Sequence, residues 1–204
     1  MTKYLINTMG KTGSISIKTA LESIGIPVEH EHNRTHPKNK PMNGDYMVFV
    51  PIREAVSRNI SAYFENFYKG KRVTASDFIH EYKHAHGLIW VEREIGAYWG
   101  VDVYAEPFDV EKGWHIYKAK NASILIIRRE NLDREWTSAY QEFTGNVAPP
   151  LGHDNVTLNK PGKANEYRRF LNQEVIPEYY INWVNSSPYM RHFYPDFIER
   201  NGNG

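Results

Sequence analysis

Apolar positions change their period along this chain, and each change marks an element. Tyr4, Leu5 and Ile6 form a short strand-like run. Beyond Gly10 the apolar residues recur at Ile17, Ala20, Leu21 and Ile24, the three- and four-residue spacing of one helix face. The pattern predicts a strand over 3–8, a helix over 14–25 and a second strand over 27–31. A polar loop over 33–44 follows, with Pro37 and Pro41. Tyr46 to Val50 is uninterrupted apolar sequence, as in a parallel strand buried on both faces. After Pro51 a helical stripe takes over at Val56, Ile60, Tyr63, Phe64 and Phe67. A second helical block is expected over 76–99, interrupted near Gly87 and stopped by Gly100. Residues 123–128, apolar almost throughout, predict a central fourth strand. Helices are expected over 132–143 and 163–175, joined by a loop over 148–162. Short helices should make up the Tyr- and Trp-rich last quarter, before a frayed tail over 201–204. Strands alternating with helices imply an α/β fold with a mostly parallel central sheet flanked by helices. Ligands of such a sheet bind at the carboxyl ends of its strands.

Composition adds limits. At 204 residues and 41% apolar, a single domain over 1–200 can bury a substantial core. Twenty-five basic residues against 24 acidic ones leave no global field, so nucleic acid is not an expected partner. The absence of cysteine excludes disulfides, thiolate zinc and a cysteine nucleophile. No apolar run of about 7–15 residues lies near the N-terminus, so no signal peptide or membrane anchor is expected and the location should be cytoplasmic. The 14 Tyr, 9 Phe and 5 Trp chiefly suit core filling, with some available to a sugar-binding cleft.

Candidate chemistry concentrates between the first strand and its helix. Lys11-Thr12-Gly13-Ser14-Ile15-Ser16 is a Gly/Ser/Thr turn entering a helix. Such a turn aims backbone N–H groups and the positive helix end at one point, where a phosphate is the natural occupant. Lys11 adds a full charge there. The segment is not a Walker A loop, because the first glycine of that motif would fall on Leu5 and the glycine that matters follows the lysine. A second element reads Asp45 to Phe67: strand, Arg53 at the strand-to-helix junction, and Ser61 eight residues on. Eight residues are a little over two helical turns, which returns Ser61 to the side of Arg53. A guanidinium and a hydroxyl on one side can hold a terminal phosphate.

Lys-Thr-Gly-Ser-x-Ser resembles the 5′-phosphosulfate loop of sulfotransferases that use 3′-phosphoadenosine 5′-phosphosulfate (PAPS). The strand, Arg53 and Ser61 are similar to the 3′-phosphate element of the same enzymes. Trp99 to Tyr104, Pro107-Phe108, Gly113-Trp114, Ile124 to Leu132 and Tyr189 to Tyr194 resemble later segments of the carbohydrate group, in an order similar to its capsular-polysaccharide-synthesis branch. Many relatives carry Arg-Asp-Pro where this chain has Arg53-Glu54-Ala55. The resemblance implies a P-loop-like three-layer sandwich and a sulfuryl transfer from PAPS, without metal, to an acceptor hydroxyl such as that of a carbohydrate. It implies cofactor contacts from Lys11, Thr12, Gly13, Ser14, Ile15, Ser16, Arg53 and Ser61.

Sulfuryl transfer needs positive charge on the leaving phosphate oxygen, a task for Lys11. It also needs a base for the acceptor proton. In many relatives a His or Glu on the intervening strand serves. Here that strand ends Val28-Glu29-His30-Glu31-His32-Asn33, and alternation puts Val28, His30 and His32 on one face. His32, nearest the end, is the first candidate, followed by His30 and the loop residue His36.

Two other functions fit parts of the sequence. His80-Glu81-Tyr82-Lys83-His84 spells His-Glu-x-x-His, which on one helix would set two histidines on a face for zinc, with Glu81 as base. The third histidine of extended metallopeptidase motifs is replaced by Trp90, however, and Lys83 sits beside the second ligand. A solvated His/Lys/Glu helix face accounts for the segment better. A phosphonucleotide-binding module without catalysis would need the loop alone.

Overall fold

The structure is a computed structural model and describes residues 2–33, 44–152, 164–172 and 175–202. His36 lies outside the described residues, as do most of the 33–44 and 148–162 loops. The chain forms two compact units, Met1–Arg53 with Trp90–Asp154 and Glu54–Ile89 with Asn155–Gly204.

The first unit begins with β1 (Lys3–Asn7), α1 (Ser14–Ser23), β2 (Val28–Glu31) and β3 (Tyr46–Ile52). In the second unit follow α2 (Ala55–Asn66), α3 (Ala75–Glu81) and α4 (Ala85–Leu88). Back in the first unit, a π-helical turn (Glu92–Gly96) runs into α5 (Ala97–Trp99), then β4 (Trp114–Ala119), β5 (Ala122–Arg128) and α6 (Arg129–Thr144). The second unit is completed by α7 (Ala164–Leu171), α8 (Glu178–Asn185), α9 (Pro188–Phe193) and α10 (Pro195–Gly202), the last reaching into the segment expected to fray. No described helix is long and apolar enough to cross a membrane.

The fold is α/β with a five-stranded, mostly parallel central sheet flanked by helices, in the order β2-β1-β3-β5-β4. β1 pairs in parallel with β2 and β3, β3 in parallel with β5, and only β4 runs antiparallel, against β5. The middle strands are apolar throughout because both faces are covered: Leu5, Ile6, Val48, Phe49, Val50 and Ile124 to Ile127 are fully buried. α1 and α6 close one face over a cluster of Ile6, Ile17, Leu21, Phe49, Leu125, Leu132 and Tyr140. Phe49 stands at its centre, with ring centroids 5.1 Å from Phe143 and 5.9 Å from Trp136. Burying such a ring contributes about 1.5–3 kcal/mol.

β4 is not foreseen by the apolar pattern. It is an edge strand whose Trp114 and Tyr117 are buried while His115 and Ile116 are half-covered, so no clean two-residue alternation marks it. A hairpin through Lys120-Asn121 pairs Ala119 with Ala122.

In the second unit, α2 buries Val56, Ile60, Tyr63 and Phe64 of its predicted stripe, while Phe67, the last member, caps the helix and is exposed. Glu54 caps it, accepting from the N–H groups of Val56 at 2.7 Å and Ser57 at 2.8 Å. That gives the departure at Arg53-Glu54-Ala55 a local task. Phe64 packs edge-on against Tyr167 and Phe170 of α7. The expected break near Gly87 lies elsewhere. α3 ends at Glu81 and Tyr82 is extended, whereas Gly87 is helical within α4. Gly87 leaves room for Arg58: a Cβ there would stand 2.9 Å from the arginine Nη1.

Candidate functional site

The strand β1 ends at Asn7 and the chain turns sharply. Thr8 donates its N–H to Glu31 of β2 at 3.0 Å, and its hydroxyl bonds that of Thr12 at 2.6 Å. Thr8 and Thr12 are both fully buried, so this pair staples the loop from inside. Between and beyond them Gly10 (φ 78), Lys11 (φ 63) and Gly13 (φ 84) are all left-handed. Lys11 is the one non-glycine residue with positive φ among the described residues. A left-handed L-residue costs roughly 1–2 kcal/mol, a cost that recurs where a side chain must be held in a functional position.

Gly13 is the N-cap of α1 and supplies no capping side chain. Ser16 N–H bonds the Gly13 carbonyl at 3.2 Å, while the N–H groups of Ser14 and Ile15 have no protein acceptor among the described residues. Two donors at the positive end of a helix are thus left for an anion. Asn7, directly before the loop, is fully buried with neither amide atom hydrogen-bonded among the described residues. An orphan of this kind costs about 1–3 kcal/mol. Sequence reading missed it, since an Asn ending a strand carries no signal of burial.

β1 and β3 are parallel neighbours from which the chain departs in opposite directions, α1 leading to β2 and β3 leading onward. The loop after β1 and Arg53 after β3 therefore stand together at the point where strand order reverses, the usual ligand crevice of an open α/β sheet. Arg53 Nη1 donates to the Lys11 carbonyl at 3.3 Å, tying the two predicted segments together. Gly13 is also packed against a residue that sequence reading did not select. A Cβ at Gly13 would stand 2.6 Å from Cδ of Arg129, the first residue of α6. Arg129 pairs with Asp133 at 3.4 Å, so a further guanidinium lies beside the loop. The signal available was its place directly after a central strand.

β2 ends at Glu31, so His30 lies on the strand and His32 just past it, and both reach this loop. His30 Nε2 lies 3.2 Å from the Ser14 hydroxyl. Burial, reinforced by the neighbouring His32 ring and the Lys18 ammonium and only partly offset by Glu22, holds its pKa below the ordinary 6.5. His32 donates Nδ1–H to the Thr8 carbonyl at 2.9 Å, so in the neutral ring Nε2 carries the lone pair. Its ring lies over Gly10, where a Cβ would stand 3.8 Å from Cε1, and Trp90 Nε1 anchors its carbonyl at 2.9 Å. Lys11, Thr12, Gly13, Ser14, Ile15, Ser16, His30, His32 and Arg53 thus belong to one neighbourhood of the first unit. Ser61 belongs to α2 of the second unit and is 2% exposed. Its assignment rests on sequence.

The His-Glu-x-x-His segment does not lie on one helix, because α3 stops at Glu81. His80, Glu81 and Lys83 are exposed, but His84 is not part of a solvated face: it is 7% exposed. Its Nε2–H donates to the Phe78 carbonyl at 2.8 Å, and Nδ1 accepts from the Tyr180 hydroxyl at 2.7 Å. Tyr180 in turn accepts from Asn59 at 3.0 Å, and Arg58 donates to Asn59 at 3.0 Å and to Tyr82 at 2.6 Å. Both ring nitrogens of His84 are committed, so no lone pair remains for a metal. Glu81 accepts from Tyr63 at 2.9 Å.

Burial also holds His84 below the ordinary 6.5. The unfolded chain therefore takes up protons first as pH falls. The stability linked to His84 and His30 is complete above about 6.5 and declines in the window beneath it, until the folded histidines titrate. Melting temperature should accordingly drop between pH 7 and 5, and drop less in His84→Gln. An identical pH dependence in that variant would refute the linkage.

Comparison with known protein families, characterised proteins and solved structures finds no match for this chain.

Proposed function

We propose that this chain is a PAPS-dependent sulfotransferase, moving a sulfuryl group to an acceptor hydroxyl, that of a carbohydrate being the class its sequence resemblance implies. The β1 loop is taken as P-loop-like, with the 5′-phosphosulfate on Lys11 to Ser16. The observation that carries the proposal is the loop itself: three left-handed residues and an uncapped helix start at the β1/β3 crevice, with Arg53 hydrogen-bonded to the Lys11 carbonyl. Donors without acceptors, a lysine held in a costly conformation and a neighbouring guanidinium suit a multiply charged phosphate better than a neutral ligand.

In the proposed reaction the acceptor oxygen attacks sulfur, forming the new S–O bond as the bond from sulfur to the 5′-phosphate oxygen breaks. The acceptor proton passes to His32 Nε2. Lys11 and the helix donors take up charge growing on the leaving oxygen, and 3′,5′-phosphoadenosine departs. His32 is favoured over His30 because its Nδ1–H is already engaged and directs the lone pair to Nε2, whereas His30 faces Ser14.

Arg53 is assigned the 3′-phosphate, with Ser61 as the sequence's second candidate for that group. Arg53→Ala should remove a charge-assisted contact worth about 1.5–3 kcal/mol and weaken 3′,5′-phosphoadenosine much more than AMP. Titration calorimetry with both ligands checks this. Equal losses would place Arg53 on the 5′ side and overturn its assignment.

A further inference from the structure

The second unit contains a cleft of about 500 Å³, within the range of small-molecule sites. Tyr180 and His84 form its buried lining, at 3% and 7% exposure. Their polar atoms are used elsewhere: Tyr180 donates to His84, His84 donates to the Phe78 carbonyl, and Asn59 donates to Tyr180. These bonds fix both rings and leave aromatic surface towards the cleft. Ile79 and Ala85 add aliphatic surface. Tyr179 and Trp183 complete the lining at 66% and 45% exposure, apolar area that a ligand would remove from water.

Lys83 is the lining residue that carries a full charge; its carbonyl accepts from the His86 N–H at 3.2 Å, while its exposed ammonium has no ion pair or hydrogen bond among the described residues. The lining includes no carboxylate. Besides the Lys83 ammonium, the polar atoms of the exposed lining are one Tyr179 hydroxyl and one Trp183 indole N–H, with no amide or carboxylate side chain. Such a set suits a largely apolar ligand with one anionic group better than a polyhydroxylated one. A flat apolar body with one acid group satisfies both features: rings against rings, and the acid on the ammonium. We propose that this cleft binds an amphipathic organic anion, an aromatic or short aliphatic body bearing a single carboxylate or sulfonate. The proposal concerns the second unit alone and stands or falls independently of the nucleotide loop.

The test titrates the full chain with 1-anilinonaphthalene-8-sulfonate and with its uncharged counterpart N-phenyl-1-naphthylamine, reading fluorescence and calorimetric stoichiometry. One sulfonate probe should bind per chain. Lys83→Gln, a change at an exposed side chain, should weaken it by about 5- to 20-fold and leave the uncharged probe within about twofold. Trp183→Ala should weaken both. An unchanged sulfonate affinity in Lys83→Gln, unaltered binding of both probes in Trp183→Ala, or several equivalent sites per chain would overturn the proposal.

Discussion

Replacing His32 with alanine should lower sulfuryl transfer by roughly 100- to 10,000-fold, the range expected when a general base is lost. Affinity for 3′,5′-phosphoadenosine should stay within about twofold. The separation follows from geometry. His32 touches the loop through one Nδ1–H bond to the Thr8 carbonyl, while the loop's shape depends on the buried Thr8–Thr12 pair and the left-handed residues. Only a neutral imidazole accepts a proton, so the wild-type rate should rise with pH along a limb that His32→Ala lacks. His30→Ala should be the milder variant, because that ring faces Ser14. If His30→Ala abolished transfer and His32→Ala did not, the base would be misassigned. If His32→Ala lost binding as steeply as turnover, the residue would be part of the loop's framework instead.

Lys11→Ala should reduce turnover about 100- to 1,000-fold, more than it weakens the desulfated product. Negative charge on the bridging oxygen grows between substrate and transition state, so the ammonium interacts more strongly later in the reaction. Alanine is a clean probe, since it keeps a Cβ and hence the strain at φ 63. Lys11→Gly separates the two roles of the position. Relief of strain worth roughly 1–2 kcal/mol outweighs the chain entropy that glycine adds, so this variant should melt no lower than wild type and still be nearly inactive. Turnover and product affinity falling by the same factor would mean that Lys11 binds the ground state only.

The α/β order was readable because each central strand is a bare apolar run feeding a helical stripe. Tyr46 to Val50 followed by Val56 to Phe64 leaves little room for another assignment. The turn at Lys11, Gly13 and Ser14 was readable because a Gly/Ser/Thr break between a strand and a helical stripe is local in sequence. Where pairing partners are distant the signal faded. Nothing in residues 120–135 says that Arg129 will pack on Gly13; the parallel register of β1, β3 and β5 brings it there. The burial of Asn7 and His84 was not readable for a related reason, since burial of a polar side chain is set by elements remote in sequence. The His-Glu-x-x-His match, already set aside for want of a third histidine, is broken at Tyr82, whose extended backbone ends the helix that the motif requires.

The proposed nucleotide site is decided by calorimetry on one sample of the purified chain, titrated in turn with 3′,5′-phosphoadenosine, AMP, ATP and zinc. One phosphoadenosine should bind per chain, more tightly than AMP or ATP, with its affinity unaffected by a chelator. Stoichiometric zinc binding with no preference for the 3′-phosphorylated nucleotide would contradict it.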